Sequence, residues 1–387
     1  MARLGERLGF SETPRPDGRL VWLHGVSVGE AVSLTPLAEQ LLDRRRDVSV
    51  LMTSATPSSG ALLQTRLPPG AFHQYAPVDT PLAARRFIRR WRPDAAVFVE
   101  SELWPNLILA AKSAGARMAL VSARLSEASL QRWRLAPRGL GALLASFDLV
   151  LARDEHQAAG LRQFGARIDG LADLKFGAPA LPADTDEVAR LRRVLADRGV
   201  ILAASTHKGE EELVLRAAKS ASEGRAGRPL VVLAPRHVDR ADEIGASCER
   251  LGFAWKLRSS KGNPSEVDAL VIDAMGEMGI WYRLARLAVI GGSFRRGVGG
   301  HNPLEAARLG CPFVCGPFFE NWPVHRELAN LGATELVTGE MELKRVLLSA
   351  LQADDVFASR ADAAAAFVRD RDAATRAAMV RIAALMD

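Results

Sequence analysis

Cysteine is nearly absent from this chain: three residues, Cys248, Cys311 and Cys315, in 387. An odd count with no CxxC spacing excludes a disulfide framework. Cys311-Pro-Phe-Val-Cys315 sits in an apolar run without the histidine or further cysteine of a zinc site. Buried free thiols in a reducing compartment are what remains. Long apolar runs are missing too. None approaches the ~20 residues of a membrane span, and no signal-peptide pattern opens the sequence, so work at a membrane would need surface attachment. No internal repeat or low-complexity stretch stands out, which excludes repeat architectures. Tyrosine occurs twice, beside abundant alanine and arginine, a bias of genome composition rather than of function. Two Asp-x-Asp strings, Asp184-Thr-Asp186 and Asp370-Arg-Asp372, follow no strand pattern and read as surface. No metal ligands and no cofactor are assigned.

What is present is a globular composition, 48% hydrophobic and 25% charged, in a chain long enough for two domains. The net charge of +6 is unevenly spread. Arg85, Arg86, Arg89, Arg90 and Arg92 crowd around Phe87, Ile88 and Trp91, and Arg44, Arg45 and Arg46 form a second cluster. Such clusters suit an anionic membrane surface or nucleic acid, or they solvate a helix face. No nucleic-acid module accompanies them, so the membrane is the favoured partner and nucleic acid is not expected.

Short Val/Ile/Leu-rich runs alternate with amphipathic helical stretches along the whole chain. Candidate strands are 20–24, 48–53, 95–99, 117–122 and 149–152, then 200–204, 230–234, 269–272, 287–291, 312–315 and 335–337. Fully apolar strands alternating with helices predict an α/β protein of two Rossmann-like, doubly wound parallel sheets facing across a cleft. Domains are expected at 1–176 and 186–360. A Pro/Ala-rich linker at 177–185 would join them, and a C-terminal helix at 361–387 would pack back on the first.

The loops after these strands carry the chemistry, since α/β proteins bind ligands at the carboxyl ends of their strands. His24-Gly-Val-Ser-Val-Gly-Glu30 runs from strand to helix start and puts Glu30 at a helix N-terminus. There it acts as a base toward a bound hydroxyl, or it only complements the helix dipole. Ser27 and Gly29 flank it on the acceptor side. Glu100-Ser-Glu102 follows the strand at 95–99, as a reactive acidic pair or as a capping loop. Ser54 and Arg124 close further strand ends. In the second half, Ser205 and Thr206, then Arg236 and His237, follow successive strands, and Arg236 is placed to hold a phosphate. Met275, Gly276 and Glu277 follow the third. Gly291-Gly-Ser-Phe294 and Gly299-Gly300-His-Asn302-Pro-Leu-Glu305 form a glycine-rich turn and helix start that can bind an anion through N–H groups, with Glu305 accepting from a ribose. Together they describe a nucleotide-sugar pocket.

Taken as strings, these stretches resemble the Kdo transferases (3-deoxy-D-manno-octulosonic acid transferases) of lipopolysaccharide synthesis. The matching runs are HGVSVGE at 24–30, TSATPSSG at 53–60, PVDTP at 77–81, FVESELWPN at 98–106, SARLSE at 122–127, AASTHKGEEE at 203–212, APRHVDRADEI at 234–244, AMGEMG at 274–279 and GGHNPLEAA at 299–307. The resemblance implies a glycosyltransferase B fold, CMP-Kdo as donor and a lipid A precursor (lipid IVA) as acceptor. It also implies an inverting, metal-independent transfer with Glu30 as base and Glu100 and Glu102 in the acidic motif. The expected location is the cytoplasmic side of the bacterial inner membrane. Family members usually open with a membrane-anchoring helix, whereas this sequence starts inside the basic stretch that follows it, so attachment is expected to be peripheral. Where the family usually has Gly-Asn-Leu-Lys, this chain has Ala172-Asp173-Leu174-Lys175. Alternatives carried forward are a related enzyme with another donor or acceptor, a sugar-nucleotide epimerase, and a non-catalytic membrane-binding protein.

Overall fold

The computed structural model describes residues 3–196, 198–224, 227–260, 263–352 and 355–385. The chain divides into two compact units, Met1–Pro179 with Arg371–Asp387, and Ala180–Asp370.

The first unit holds seven strands: β1 (Arg19–His24), β2 (Val48–Ser54), β3 (Ala71–Tyr75), β4 (Ala95–Val99), β5 (Arg117–Ala123), β6 (Leu149–Ala152) and β7 (Gly170–Leu171). They pair in parallel in the order β3-β2-β1-β4-β5-β6-β7. The order reverses at β1, between β2 and β4, which is the switch point where such sheets open a crevice. Alternation builds two cores from one strand. Leu20 and Trp22 join Phe87, Trp91 and Phe98 on one face, while Val21 and Leu23 join Leu34, Leu37, Val97 and Val99 on the other. The helix Pro81–Trp91 shows the same logic at its own period. Thr80 caps it, and Ala83, Ala84, Phe87, Ile88 and Trp91 face inward, which leaves the arginines on the outside.

The second unit repeats the plan with β8 (Val200–Thr206), β9 (Leu230–Pro235), β10 (Trp255–Leu257), β11 (Ala269–Val271), β12 (Leu287–Ile290), β13 (Phe313–Cys315) and β14 (Glu335–Leu336). All pairs are parallel, in the order β10-β11-β9-β8-β12-β13-β14. Its switch point lies between β8 and β12. The cysteines are buried free thiols, and burial pushes the Cys311 thiol up to about 12.

Three strands had no counterpart in the sequence pattern. β3 and β10 are edge strands with half-buried, partly polar faces, and β7 is two residues long. None offers the apolar run that marked the central strands. The last helix, Asp355–Ala384, starts earlier than its pattern and passes from the second unit into the first. Its Ala378, Met379 and Ile382 complete the first unit's core beside Leu174. Thr375 donates to the Asp173 carbonyl at 3.0 Å. Gly177 is glycine for the same packing, since a Cβ there would sit 2.7 Å from Met379 Cε. Among the described residues, no helix is long and apolar enough to cross a membrane.

Candidate active site

In the first unit, β1 ends at His24 and the helix Val28–Arg44 begins three residues beyond Gly25. Ser27 and Glu30 form a capping box. The Glu30 amide donates to Ser27 Oγ at 3.3 Å, and Glu30 Oε2 accepts from the Val26 and Ser27 amides at 2.6 and 3.1 Å. The carboxylate is thereby fixed against the strand end. Gly25 makes room for it, because a Cβ there would meet Glu30 Cβ at 3.0 Å. So Glu30 does cap its helix, and the two sequence readings are compatible: the described hydrogen bonds to its carboxylate use Oε2.

Glu100 follows β4 with a left-handed φ of 55°, a strain of order 1 kcal/mol that a tightly bonded site sustains. Its two oxygens are taken by different cations, Oε2 by Arg124 at 2.6 Å and Oε1 by Lys175 at 3.1 Å. Burial alone would raise its pKa; Lys175 and Arg124 outweigh that and hold it below the ordinary carboxylate range. Glu102 goes the other way. Burial first, then the charge of Glu30, pushes it up to about 7, although Trp104 Nε1 donates to it at 2.6 Å. Two carboxyls at one edge, Glu100 and Glu102, thus hold opposite protonation tendencies, the arrangement that separates proton acceptors from proton carriers. Trp104 packs edge-on against buried His24 at 5.0 Å, and burial lowers that histidine to about 3. Asp173 caps the short turn at Leu174–Gly177 by accepting from the Lys175 amide at 3.0 Å. Burial raises its pKa.

At the second unit's carboxyl edge, Ser205 takes a left-handed φ of 55° where the β8–β9 register shifts. Ser122 does the same, at 54°, where β5 slips against β6. Both units therefore shift register at the carboxyl end of an interior strand. Arg236 and His237 are exposed beyond β9. Arg236 lies close enough to Glu305 to oppose the rise that burial imposes on that carboxyl, and Asn302 Nδ2 donates to it at 3.3 Å. His207 and His301 meet through their Nε2 atoms at 2.8 Å.

Several expected residues are placed differently from the sequence reading. The amides of Gly292 and Phe294 do not await an anion. Both donate to Glu210, at 2.7 and 3.0 Å, and the His207 amide joins them at 2.8 Å. A carboxylate from the chain itself fills that nest. Thr206 is buried and donates to Glu211 at 2.8 Å. Glu277 pairs with Arg258 at 2.6 Å, which also holds Glu187. Ser54 is buried against His73 at 2.9 Å. These four groups are committed to the protein. Met275, Gly276, Gly29 and Arg236 stand exposed, and Ser27, Ser205, Asn302 and Glu305 are half-buried. Gly300 is buried, its φ of 75° setting the turn before His301. Sequence reasoning passed over Lys175, Trp104, Glu210 and His301 as site groups, although each lies within a quoted motif.

Among solved structures, a glycosyltransferase from Rickettsia africae superposes with a TM-score of 0.62 at 11% identity, covering 96% of this chain and 100% of that one. The UDP-GlcNAc 2-epimerase of Neisseria meningitidis bound to UDP-GlcNAc gives 0.58 at 12%, covering 89% and 94%. The chain thus has the two-Rossmann fold of the glycosyltransferase B class. Its sequence relatives narrow this further. A family model described as 3-deoxy-D-manno-octulosonic-acid transferase (kdotransferase) matches residues 2–178. The 3-deoxy-D-manno-octulosonic acid transferase of Bordetella pertussis is 38% identical over 329 residues, 83% of this chain and 76% of that protein. A probable mitochondrial one from Arabidopsis thaliana is 34% identical over 360 residues, 89% and 80%. The chain belongs to the Kdo transferase family and is a glycosyltransferase.

Proposed function

We propose that this enzyme transfers Kdo from CMP-Kdo to an acylated lipid A precursor (lipid IVA) in a single inverting displacement without a metal. The observation that carries the reading is the Glu30 carboxylate fixed by its capping box beside Glu102, at the switch point of the first sheet. The acceptor hydroxyl, held near Ser27, Gly29 and Arg124, attacks the anomeric carbon and passes its proton to Glu30. The bond from that carbon to the phosphate oxygen breaks, and its electron pair leaves on CMP. Donor contacts fall to Ser205, Arg236, His237, Met275, Gly276, Asn302 and Glu305, with the glycine turn at Gly300 shaping the loop. Arg124 and Lys175 fix Glu100 in its ionised form beside the reacting groups. The acceptor is an anionic lipid, so the work is done at the cytoplasmic face of the inner membrane.

The test is direct. The protein is incubated with CMP-Kdo and a tetraacylated lipid A precursor, with and without EDTA, and the product is weighed by mass spectrometry. A mass gain of one or more Kdo residues, unchanged by chelator, supports the reading. No gain with CMP-Kdo refutes the donor or acceptor, and a rate lost in EDTA refutes metal independence.

A further inference from the structure

His207 follows β8 and His301 lies on the loop after β12, so the two rings meet at the switch point of the second sheet. Their planes lie within 7°, their centres are 5.1 Å apart and their Nε2 atoms are 2.8 Å apart. The centre distance is the hydrogen bond plus one ring radius at each end. The rings are therefore end to end and nearly coplanar, joined by one N–H···N bond. Such a bond needs one proton between the two nitrogens, and a second proton on that line would set two N–H groups against each other. The pair accordingly carries at most one positive charge.

The surroundings fix the rings and leave that charge unbalanced. A Cβ on Gly292 would fall 2.8 Å from His301 Cδ2, so the glycine, at φ 68°, lets the ring lie flat against the turn. His325 Nε2 donates to the His301 carbonyl at 2.9 Å. The charged and titratable groups facing the pair are Glu210, Glu211, Arg240 and His237 around His207, and Arg236, His237 and His325 around His301. Both acids are already committed, Glu210 to three amides and Glu211 to Arg240 and Thr206. Burial lowers His207 and, with the neighbouring His207 and Arg236, takes His301 down to about 4.

Resting on the nucleotide-donor reading above, we propose that His207 and His301 form a proton-sharing dyad that carries one extra proton while a phosphate dianion occupies this edge. In the donor the phosphate is a diester with one negative charge. When the bond to the sugar breaks, the electron pair stays on the phosphate oxygen and CMP becomes a dianion at neutral pH. One proton from solvent enters the dyad, and the imidazolium offsets the new charge. The dyad thus favours the product side of the cleavage, beyond what Arg236 supplies alone.

Calorimetry of CMP binding to the full chain at pH 7.5, in two buffers of unlike ionisation enthalpy, counts the protons. Free CMP is largely dianionic there, so any uptake belongs to the protein. Uptake of about one proton per CMP and none with cytidine is expected. His301→Asn and His207→Asn should each abolish the uptake and weaken CMP roughly tenfold while binding cytidine as before, which also reports an intact site. No uptake by the wild type, or uptake that survives in both variants, overturns the dyad. If cytidine and CMP both fail to bind the wild type, the donor reading itself falls.

Discussion

Lys175 and Arg124 divide Glu100 between them, one to each carboxylate oxygen, at 3.1 and 2.6 Å. Glu100 is buried, whereas both cations keep part of their surface in water. A buried carboxylate that loses one partner is costly, because its desolvation is no longer offset. Lys175→Met should therefore lower stability by about 1–3 kcal/mol. The pH dependence has a definite sign. Glu100 is held below the ordinary carboxylate range, so its stabilisation is present at neutral pH and is lost as pH falls through its folded value. With Lys175 gone, the loss should begin at higher pH. Thermal melts between pH 3 and 7 check this, and superimposable acid limbs would show that Lys175 contributes nothing.

Amide substitution separates the capping role of Glu30 from the base role proposed for it. A glutamine oxygen still accepts from the Val26 and Ser27 amides, so Glu30→Gln should keep the capping box and melt near the wild type. It cannot take a proton, so turnover should fall by ~10²–10⁴-fold. Glu30→Ala should lose turnover and about 1 kcal/mol of stability besides. Wild-type turnover in Glu30→Gln would leave this residue as a cap alone.

Glu102 offers the opposite pH signature. Burial and Glu30 raise it to about 7, whereas in the unfolded chain it ionises near the ordinary glutamate value. Between those values the folded state binds the extra proton, so Glu102 costs stability progressively as pH rises, until the cost levels off above about 7. Glu102→Gln should remove that slope and be more stable than the wild type at pH 8. The gain should be of order 1 kcal/mol, given its partial exposure. Equal melting-temperature differences at pH 5 and pH 8 would contradict the raised value.

The central strands were legible because burial on both faces demands continuous apolar runs, and Ala95–Val99 is buried throughout. The strand-end positions of Glu30 and Glu100 were legible because strand ends at a switch point are where polar loops collect. What the sequence hid was pairing across distance. Nothing local says that Lys175 reaches Glu100, or that Glu210 fills the amides of Gly292 and Phe294. The glycine-rich turn looked vacant because its occupant comes from another strand's loop. Edge strands escaped for the converse reason: β3 is half-buried, and its His73 and Gln74 bond to Ser54, Phe10 and Trp91 instead of filling an apolar face.

The arginine-rich helix gives the last prediction, and the structure changes which residues should carry it. Arg86 lies over the Phe10 ring at 4.8 Å and Arg90 donates to the Thr13 carbonyl at 2.5 Å, so both hold the N-terminal segment in place. Arg85 and Arg89 stand exposed on the same helix, near Leu82, which is 58% exposed. If this face docks on an anionic membrane, each exposed arginine adds about 1 kcal/mol, screened over roughly 8–10 Å at ordinary salt. Reversing Arg85 and Arg89 to glutamate should weaken binding to anionic vesicles by at least tenfold at low salt and leave the melting temperature near the wild type. Reversing Arg86 and Arg90 should weaken binding and also lower the melting temperature, because it loosens residues 10–13. Co-sedimentation at low and high salt, with CMP affinity as the control for an intact second unit, measures both. Equal binding to neutral and anionic vesicles would remove the helix from any role in docking.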